Sequence, residues 1–132
     1  LRTDFCIEGK MLTVLASHFG LAGGEQKNAV DVVLSIAETV NNPIVLMGDF
    51  NMTPDSVGYA AMIKNFRDVN TCTANDLSTT YHNYQPEVIN NQHIDYCFID
   101  NSIIPLNQTI ITDTVEGKYP SDHFGLYIEL DI

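Results

Sequence analysis

Histidine, carboxylate and carboxamide side chains recur where apolar runs of this sequence end, and these are the groups that move protons or bind hard cations. His18 closes the run MLTVLAS, and Asp49 and Asn51 follow PIVLMG. Asp95 lies within HIDYCFID between Ile94 and Tyr96, and Ser121, Asp122 and His123 open HFGLYIELDI. Strand ends that converge on one sheet edge are the usual place for a site. Each residue also has a plainer reading. Gly48-Asp49-Phe50-Asn51 is acceptable turn chemistry, and His18 and His123 taken singly fit surface or core histidines. His82 lies in the polar stretch STTYHNY, where an ordinary loop role suffices. Asp95 is harder to dismiss, because a carboxylate inside an apolar strand is costly to bury without a partner. A salt bridge would answer that need, and so would a histidine held in one tautomer. His93, two residues earlier, would share the face of Asp95 in a regular strand.

The elements that position these groups follow from local pattern. Residues 3 to 8 and 11 to 17 read as two strands joined by a tight turn at Glu8-Gly9-Lys10. Val30, Val33, Leu34, Ala37 and Val40 follow helical spacing and predict a helix over 25–40. Asn41, Asn42 and Pro43 end it, and the continuous apolar run IVLM predicts a strand covered on both faces. A short helix is expected from about Asp55, placed as a cap after Pro54, to about Phe66. Residues 70 to 92 are polar, rich in Asn and Thr and without a period, which predicts a long loop. Strands are expected at 93 to 100, 108 to 113 and 123 to 132. In the last, Leu126, Ile128 and Leu130 alternate with Tyr127 and Glu129. Strand, strand, helix, strand, helix and further strands make a mixed α/β layer pattern.

At 132 residues the chain has the size of one domain, 1–132. Its 45% hydrophobic content and mean hydropathy of -0.01 are those of an ordinary globular protein. No apolar stretch approaches the ~20 residues that span a bilayer. Six Lys and Arg against 17 Asp and Glu give a net charge of -11. Such a field repels polyanions such as DNA and suits divalent cations, which take oxygen ligands. The three cysteines, Cys6, Cys72 and Cys97, make neither a disulfide framework nor a zinc pattern, which points to a reducing, cytoplasmic setting. The chain starts without Met or a signal pattern and reads as the continuation of something larger.

Taken together, SHFG at 17 to 20, GDFN at 48 to 51, HIDY at 93 to 96 and YPSDH at 119 to 123 resemble the endonuclease/exonuclease/phosphatase superfamily, the DNase I-like metal-dependent phosphoesterases. The order and spacing match the second half of that fold along essentially the whole chain. The resemblance implies the C-terminal half of a four-layer αββα sandwich with a mixed, mainly antiparallel sheet. It implies that Asp49 orients or deprotonates the attacking water and that Asn51 donates to a phosphate oxygen. His123 would stabilise charge on the phosphate, Asp95 would orient His123, and His18 would assist from the other side as an acid to the leaving oxygen. Asp122, with Asp49, would hold Mg²⁺ or Mn²⁺. These roles suit the chemistry itself, since bringing hydroxide to an anionic phosphoester needs a cation, a base and donors for the equatorial oxygens.

The family's remaining metal ligands, an asparagine and a glutamate, belong to the half that precedes residue 1, and neither Glu8 nor Glu25 replaces them. The expectation is therefore about half of an active site, weak metal binding and little turnover unless the other half or a second copy is supplied. A sheet face left bare would favour dimerisation. SHFG replaces the YxPN-like element of abasic-site endonucleases, and STTYHNYQPE before HIDY looks most like small bacterial hydrolases of the family. By that likeness Tyr81 and His82 would line the substrate pocket. The acidic balance favours a small phosphoester, a phospholipid head group or a sugar phosphate over nucleic acid. A nuclease acting on single strands would need basic residues interleaved with aromatics, and Lys64, Arg67 and Lys118 are few and scattered. A non-catalytic scaffold is the other alternative, against which the full set of site residue types stands.

Overall fold

The computed structural model describes residues 1–73, 79–87 and 92–132. Strands β1 (Arg2–Ile7) and β2 (Lys10–His18) form the expected hairpin. Its turn is made by Glu8 and Gly9, both at positive φ (52° and 84°), the geometry whose twist matches the flanking strands. Helix α1 (Gly23–Ala37) then crosses over to β3 (Ile44–Asp49), which lies parallel to β2, as a crossover of this length permits.

The helix starts and stops earlier than its periodicity predicts. At the start the Glu25 carboxylate reaches back to accept from the Ala22 N–H (3.3 Å), which draws Gly23 and Gly24 into the first turn. At the end the N–H groups of Thr39 and Val40 bond three residues back, to Ile36 and Ala37, so the last turn tightens and the α-ladder closes at Ala37.

Helix α2 (Val57–Met62) is shorter than expected, and its cap is Ser56 rather than Asp55. The Ser56 hydroxyl accepts from the Tyr59 N–H (3.1 Å), while Asp55 is engaged by the Thr53 hydroxyl. Strand β4 (Arg67–Asp68) leads into α3 (Val69–Cys72), a single turn that the polar composition of the segment from residue 70 concealed and that the Asp68 carboxylate caps. Residues 79–87 are irregular, as expected. Positions 74–78 and 88–91 of the predicted loop lie outside the described residues.

Strand β5 (Asp95–Ile99) pairs antiparallel with β3 and with β4, giving a five-stranded sheet in the order β1-β2-β3-β5-β4. The sheet is mixed and mainly antiparallel, as predicted. Strands β6 (Ile104–Ile111) and β7 (Gly125–Asp131) form a separate antiparallel pair. Strand β6 begins four residues before its predicted start, with a register shift between Pro105 and Asn107 where proline cannot donate to the ladder. On β7, Leu126, Ile128 and Leu130 are half-buried and Tyr127 and Glu129 exposed, as the alternation requires.

The sheet has two apolar faces. Leu15, Ile44, Leu46, Tyr96 and Phe98 meet Val30 and Val33 of α1 and Tyr59 and Met62 of α2. The opposite set, Leu12, Val45, Cys97 and Ile99, packs with Val69, Ile103 and the inward side chains of β7. This alternation explains the apolar run for Ile44, Val45 and Leu46, which face alternate cores, whereas Met47 is exposed and the expected cover on both faces stops short of it. Cys97 is fully buried and its thiol is pushed up to about 12 by that burial, while Cys6 and Cys72 are exposed and all three are free thiols. The second face is covered only in part. Between β2, β3 and β7 runs a groove of about 580 Å³ lined by Ala16, Met47, Gly48 and Tyr127, and Phe5 and Ile7 are exposed on the same face. No helix among the described residues is long and apolar enough to cross a membrane.

Candidate active site

The Gly-Asp-Phe-Asn motif at 48–51 is a local device for turning a strand end into a site. Gly48 has φ 141°, and a Cβ there would lie 1.9 Å from the Ser17 carbonyl oxygen, so β3 can approach β2 this closely only with glycine. Phe50 is fully buried, edge-on to Phe19 (4.8 Å between ring centroids) and to Phe98 (5.2 Å), and anchors the strand exit in the helix-side core. The chain then turns at Asn51, left-handed at φ 50°, which brings its N–H back onto the Asp49 carboxylate (2.8 Å).

Strand register does the rest. His18 pairs with Asp49 across β2 and β3, and Asp49 pairs with Asp95 across β3 and β5. Three side chains distant in sequence are thereby set in a row. The Asp49 Oδ2 lies 3.3 Å from Nε2 of His18, whose side chain is largely exposed, and 3.9 Å from Nε2 of His123. The Asp95 Oδ2 lies 2.8 Å from Nδ1 of His123, which answers the sequence's question about its partner. With Nδ1 facing that carboxylate, Nε2 is the nitrogen turned to Asp49.

Asp95 is held in turn by Thr80, whose hydroxyl accepts from the N–H groups of both Ile94 and Asp95 (3.0 Å each). Thr80 was not singled out in the sequence. Its only signal there is a threonine in a polar stretch, and its partners lie 14 and 15 residues away.

Asp49, Asn51, His18 and His123 line one cleft of about 610 Å³ together with Asp122, Tyr81 and Leu21. Tyr81 lies against the His123 ring (centroids 4.9 Å apart) and bridges the backbones of Gln92 and His123. His82 departs from expectation. It is 1% exposed, packed against Phe124 (4.2 Å) and Tyr119 (4.8 Å), and faces a core instead of the cleft, because successive residues beside the Tyr81 bridge point to opposite sides. His93 also departs. The chain is not yet a strand there, and its ring lies tilted against Tyr96 (centroids 4.6 Å apart) on the helix side, away from Asp95.

Burial pushes the Asp49 carboxyl above its ordinary value. The Asn51 N–H opposes that shift, the neighbouring Asp95 charge adds to it, and His123 and His18 oppose it. Ligand atoms of Asp49, Asp95 and His123 all lie within 4.8 Å of one another, so the three could hold a metal ion. The donor set fits a hard divalent cation, since carboxylate oxygens suit one and no Lys or Arg among the described lining residues offsets their charge. Asp122, the ligand expected from sequence, lines the same cleft but lies outside this trio. Its carbonyl accepts from the N–H groups of His82 and Asn83.

Comparison with solved structures places this geometry in a known fold. An endonuclease/exonuclease/phosphatase family protein from Bacteroides thetaiotaomicron superposes with a TM-score of 0.82 at 23% identity, over 92% of this chain and 50% of its own. The mannosyl-6-phosphatase Bt3783 of Bacteroides thetaiotaomicron VPI-5482 gives 0.81 at 22% identity, over 94% and 52%. D. rerio TDP2 complexed with a single-strand DNA product gives 0.79 at 16% identity, over 99% and 60%. The chain thus spans about half the length of these structures, and its fold is that of half a DNase I-like domain. Among curated proteins no sequence matches it. The Endonuclease/Exonuclease/phosphatase family model aligns with residues 4–123, a span that includes each residue gathered in the cleft, and the chain belongs to that family.

Proposed function

We propose that this chain supplies the C-terminal half of the active site of a Mg²⁺- or Mn²⁺-dependent phosphoester hydrolase that acts by water attack on phosphorus. The observation that carries the reading is the row His18, Asp49, His123, Asp95, in which a half-buried carboxylate stands between two histidines and the inner histidine is held by a second carboxylate.

Asp49 is the base. Its carboxylate stands half-buried at the strand exit between the two histidines, where it can take a proton from a water held in the cleft. A water oxygen bonds to phosphorus as its proton passes to Asp49, and the bond from phosphorus to the leaving oxygen breaks. His18, the exposed histidine, gives that oxygen a proton, and the 3.3 Å separation lets Asp49 return the proton to His18. His123, held through Nδ1 by Asp95, directs Nε2 at the phosphoryl oxygens and stabilises the charge that builds there. Asn51 donates to a phosphate oxygen, Asp49 and Asp122 would hold the cation, and Tyr81 walls the pocket. When bound, the cation screens the phosphate charge and lowers the cost of delivering hydroxide.

The solved structures that this chain resembles include a mannosyl-6-phosphatase and a protein holding a single-strand DNA product. The absence of Lys and Arg among the described cleft residues, with a net charge of -11, favours a small phosphoester such as a sugar phosphate or phospholipid head group. The exposed groove along Ala16, Met47 and Tyr127 is the face on which the remaining half of the domain, or a second copy, would pack.

The test is hydrolysis of p-nitrophenyl phosphate and bis-p-nitrophenyl phosphate with Mg²⁺ and Mn²⁺, by this chain and by a polypeptide extended upstream, with Asp49→Ala as control. Metal-dependent turnover in the extended protein, lost on substitution, is the expected result. Absence of turnover in both overturns the reading in favour of a scaffold.

A further inference from the structure

His18 and Asp49 end their strands, and the loops that follow them diverge at once. The β2–β3 ladder ends where the Phe19 N–H donates to the Asp49 carbonyl (2.9 Å), after which one chain enters the loop to α1 and the other turns at Asn51. Beyond that point side-chain bonds hold the two loops. The Asn51 Nδ2 donates to the Phe19 carbonyl (2.8 Å). From the second turn of α1, Gln26 donates its Nε2 to the Asn51 carbonyl (2.5 Å) and to the Leu21 carbonyl (3.3 Å). One half-buried amide therefore bridges both loops.

Its position matters because of the conformation of Asn51. At φ 50° the residue sends its N–H back to the Asp49 Oδ1, and its carbonyl out of reach of any strand partner. A partly buried backbone carbonyl is best satisfied by a donor from the protein, and among the described residues Gln26 supplies it. We propose that Gln26 is a positioning residue for this site: by bonding the Asn51 and Leu21 carbonyls it locks the loop at 19–22 against the loop at 50–52, so that Asp49 is held through Oδ1 and presents Oδ2 to His18 and His123. What the positioned carboxylate does rests on the phosphoesterase reading, whereas the clamp is defined by its bonds.

The chemistry of the clamp is specific. A carboxamide nitrogen carries two donors, enough for both carbonyls. Glutamate offers only acceptors at the same size, leucine offers nothing, and lysine offers three donors on a stem long enough to reach both.

The experiment compares Gln26→Leu, Gln26→Glu and Gln26→Lys with the parent by backbone amide exchange, by calorimetric binding of inorganic phosphate in the presence of Mg²⁺, and by thermal melting. Loss of a hydrogen bond worth about 1 kcal/mol is expected to speed exchange at the Asn51 amide by roughly fivefold to tenfold in the leucine and glutamate variants. Phosphate affinity should fall by a similar factor, with protection along α1 retained, and Gln26→Lys should restore both. Unchanged exchange at Asn51 in Gln26→Leu overturns the clamp. So does a loss of protection spread evenly over α1, or failure of the lysine to rescue. Absence of phosphate binding both in the parent and in the polypeptide extended upstream, with the exchange pattern as expected, overturns the phosphoesterase reading and supports the clamp, so the two failures are distinct.

Discussion

Replacing Gly48 by alanine tests whether the close approach of β3 to β2 is what builds the site. The added Cβ would lie 1.9 Å from the Ser17 carbonyl oxygen, 3.0 Å from its carbon and 3.2 Å from its nitrogen. All three are backbone atoms of a paired strand, so no rotamer change relieves the overlap. A non-glycine residue at φ 141° carries strain of about 1–3 kcal/mol. Overpacking against a wall that must move adds about 1–3 kcal/mol. The sum, roughly 2–6 kcal/mol, is a large share of the ~5–15 kcal/mol that stabilises an ordinary domain. At about 4 °C per kcal/mol for a chain of this size, the melting midpoint is expected to fall by roughly 8–24 °C. The overlap sits one register step from the His18–Asp49 pair, so their 3.3 Å spacing should open with it. A displacement near 1 Å costs on the order of 10²-fold in rate. Far-UV circular dichroism melts and phosphoester hydrolysis measure the two effects. A Gly48→Ala protein that melts within about 2 °C of the parent and keeps its turnover would refute the reasoning.

Two other perturbations follow from the same geometry. Asp95→Asn replaces a charge-assisted bond to His123 by a neutral one; at about 1.5–3 kcal/mol this predicts a fall in kcat/KM of roughly 10- to 150-fold, carried by kcat. Because both residues act through one bond, adding His123→Ala should cost much less than the separate losses combined, and full additivity in a double-mutant cycle would break the pairing. Asp68 is buried against the Tyr59 hydroxyl (2.8 Å), and burial raises its carboxyl above the ordinary 3.8, opposed by Tyr59, the Asn70 N–H and His93. The folded state therefore binds this proton more tightly than the unfolded chain. Its contribution is full below the unfolded pKa and is lost as pH rises through the folded value. Asp68→Asn, which stands in for the protonated form, should thus gain on the parent as pH rises above the ordinary carboxyl value in denaturant unfolding. A difference independent of pH would refute the assignment.

The sequence by itself determined the main elements and a list of candidate reactive residues. Helical spacing at Val30, Val33 and Leu34, alternation from Leu126 to Leu130, and GDFN, HIDY and SDH at strand ends each arise within a few residues, the range over which backbone preference and side-chain period act. Boundaries were less legible where a side chain intervenes: Glu25 opens α1 early, and Ser56 takes the cap expected of Asp55. Which atoms meet was decided only by tertiary structure. The Asp95–His123 bond joins residues 28 apart, and the row from His18 through Asp49 to Asp95 exists only once three strands share one register. Period 2 says that Tyr81 and His82 face opposite ways, but only the bridge from Tyr81 to His123 settles which of them sees the cleft. Gln26 and Thr80 escaped notice for the same reason, since their hydrogen bonds reach 25 and 14 residues away and leave no trace in local pattern.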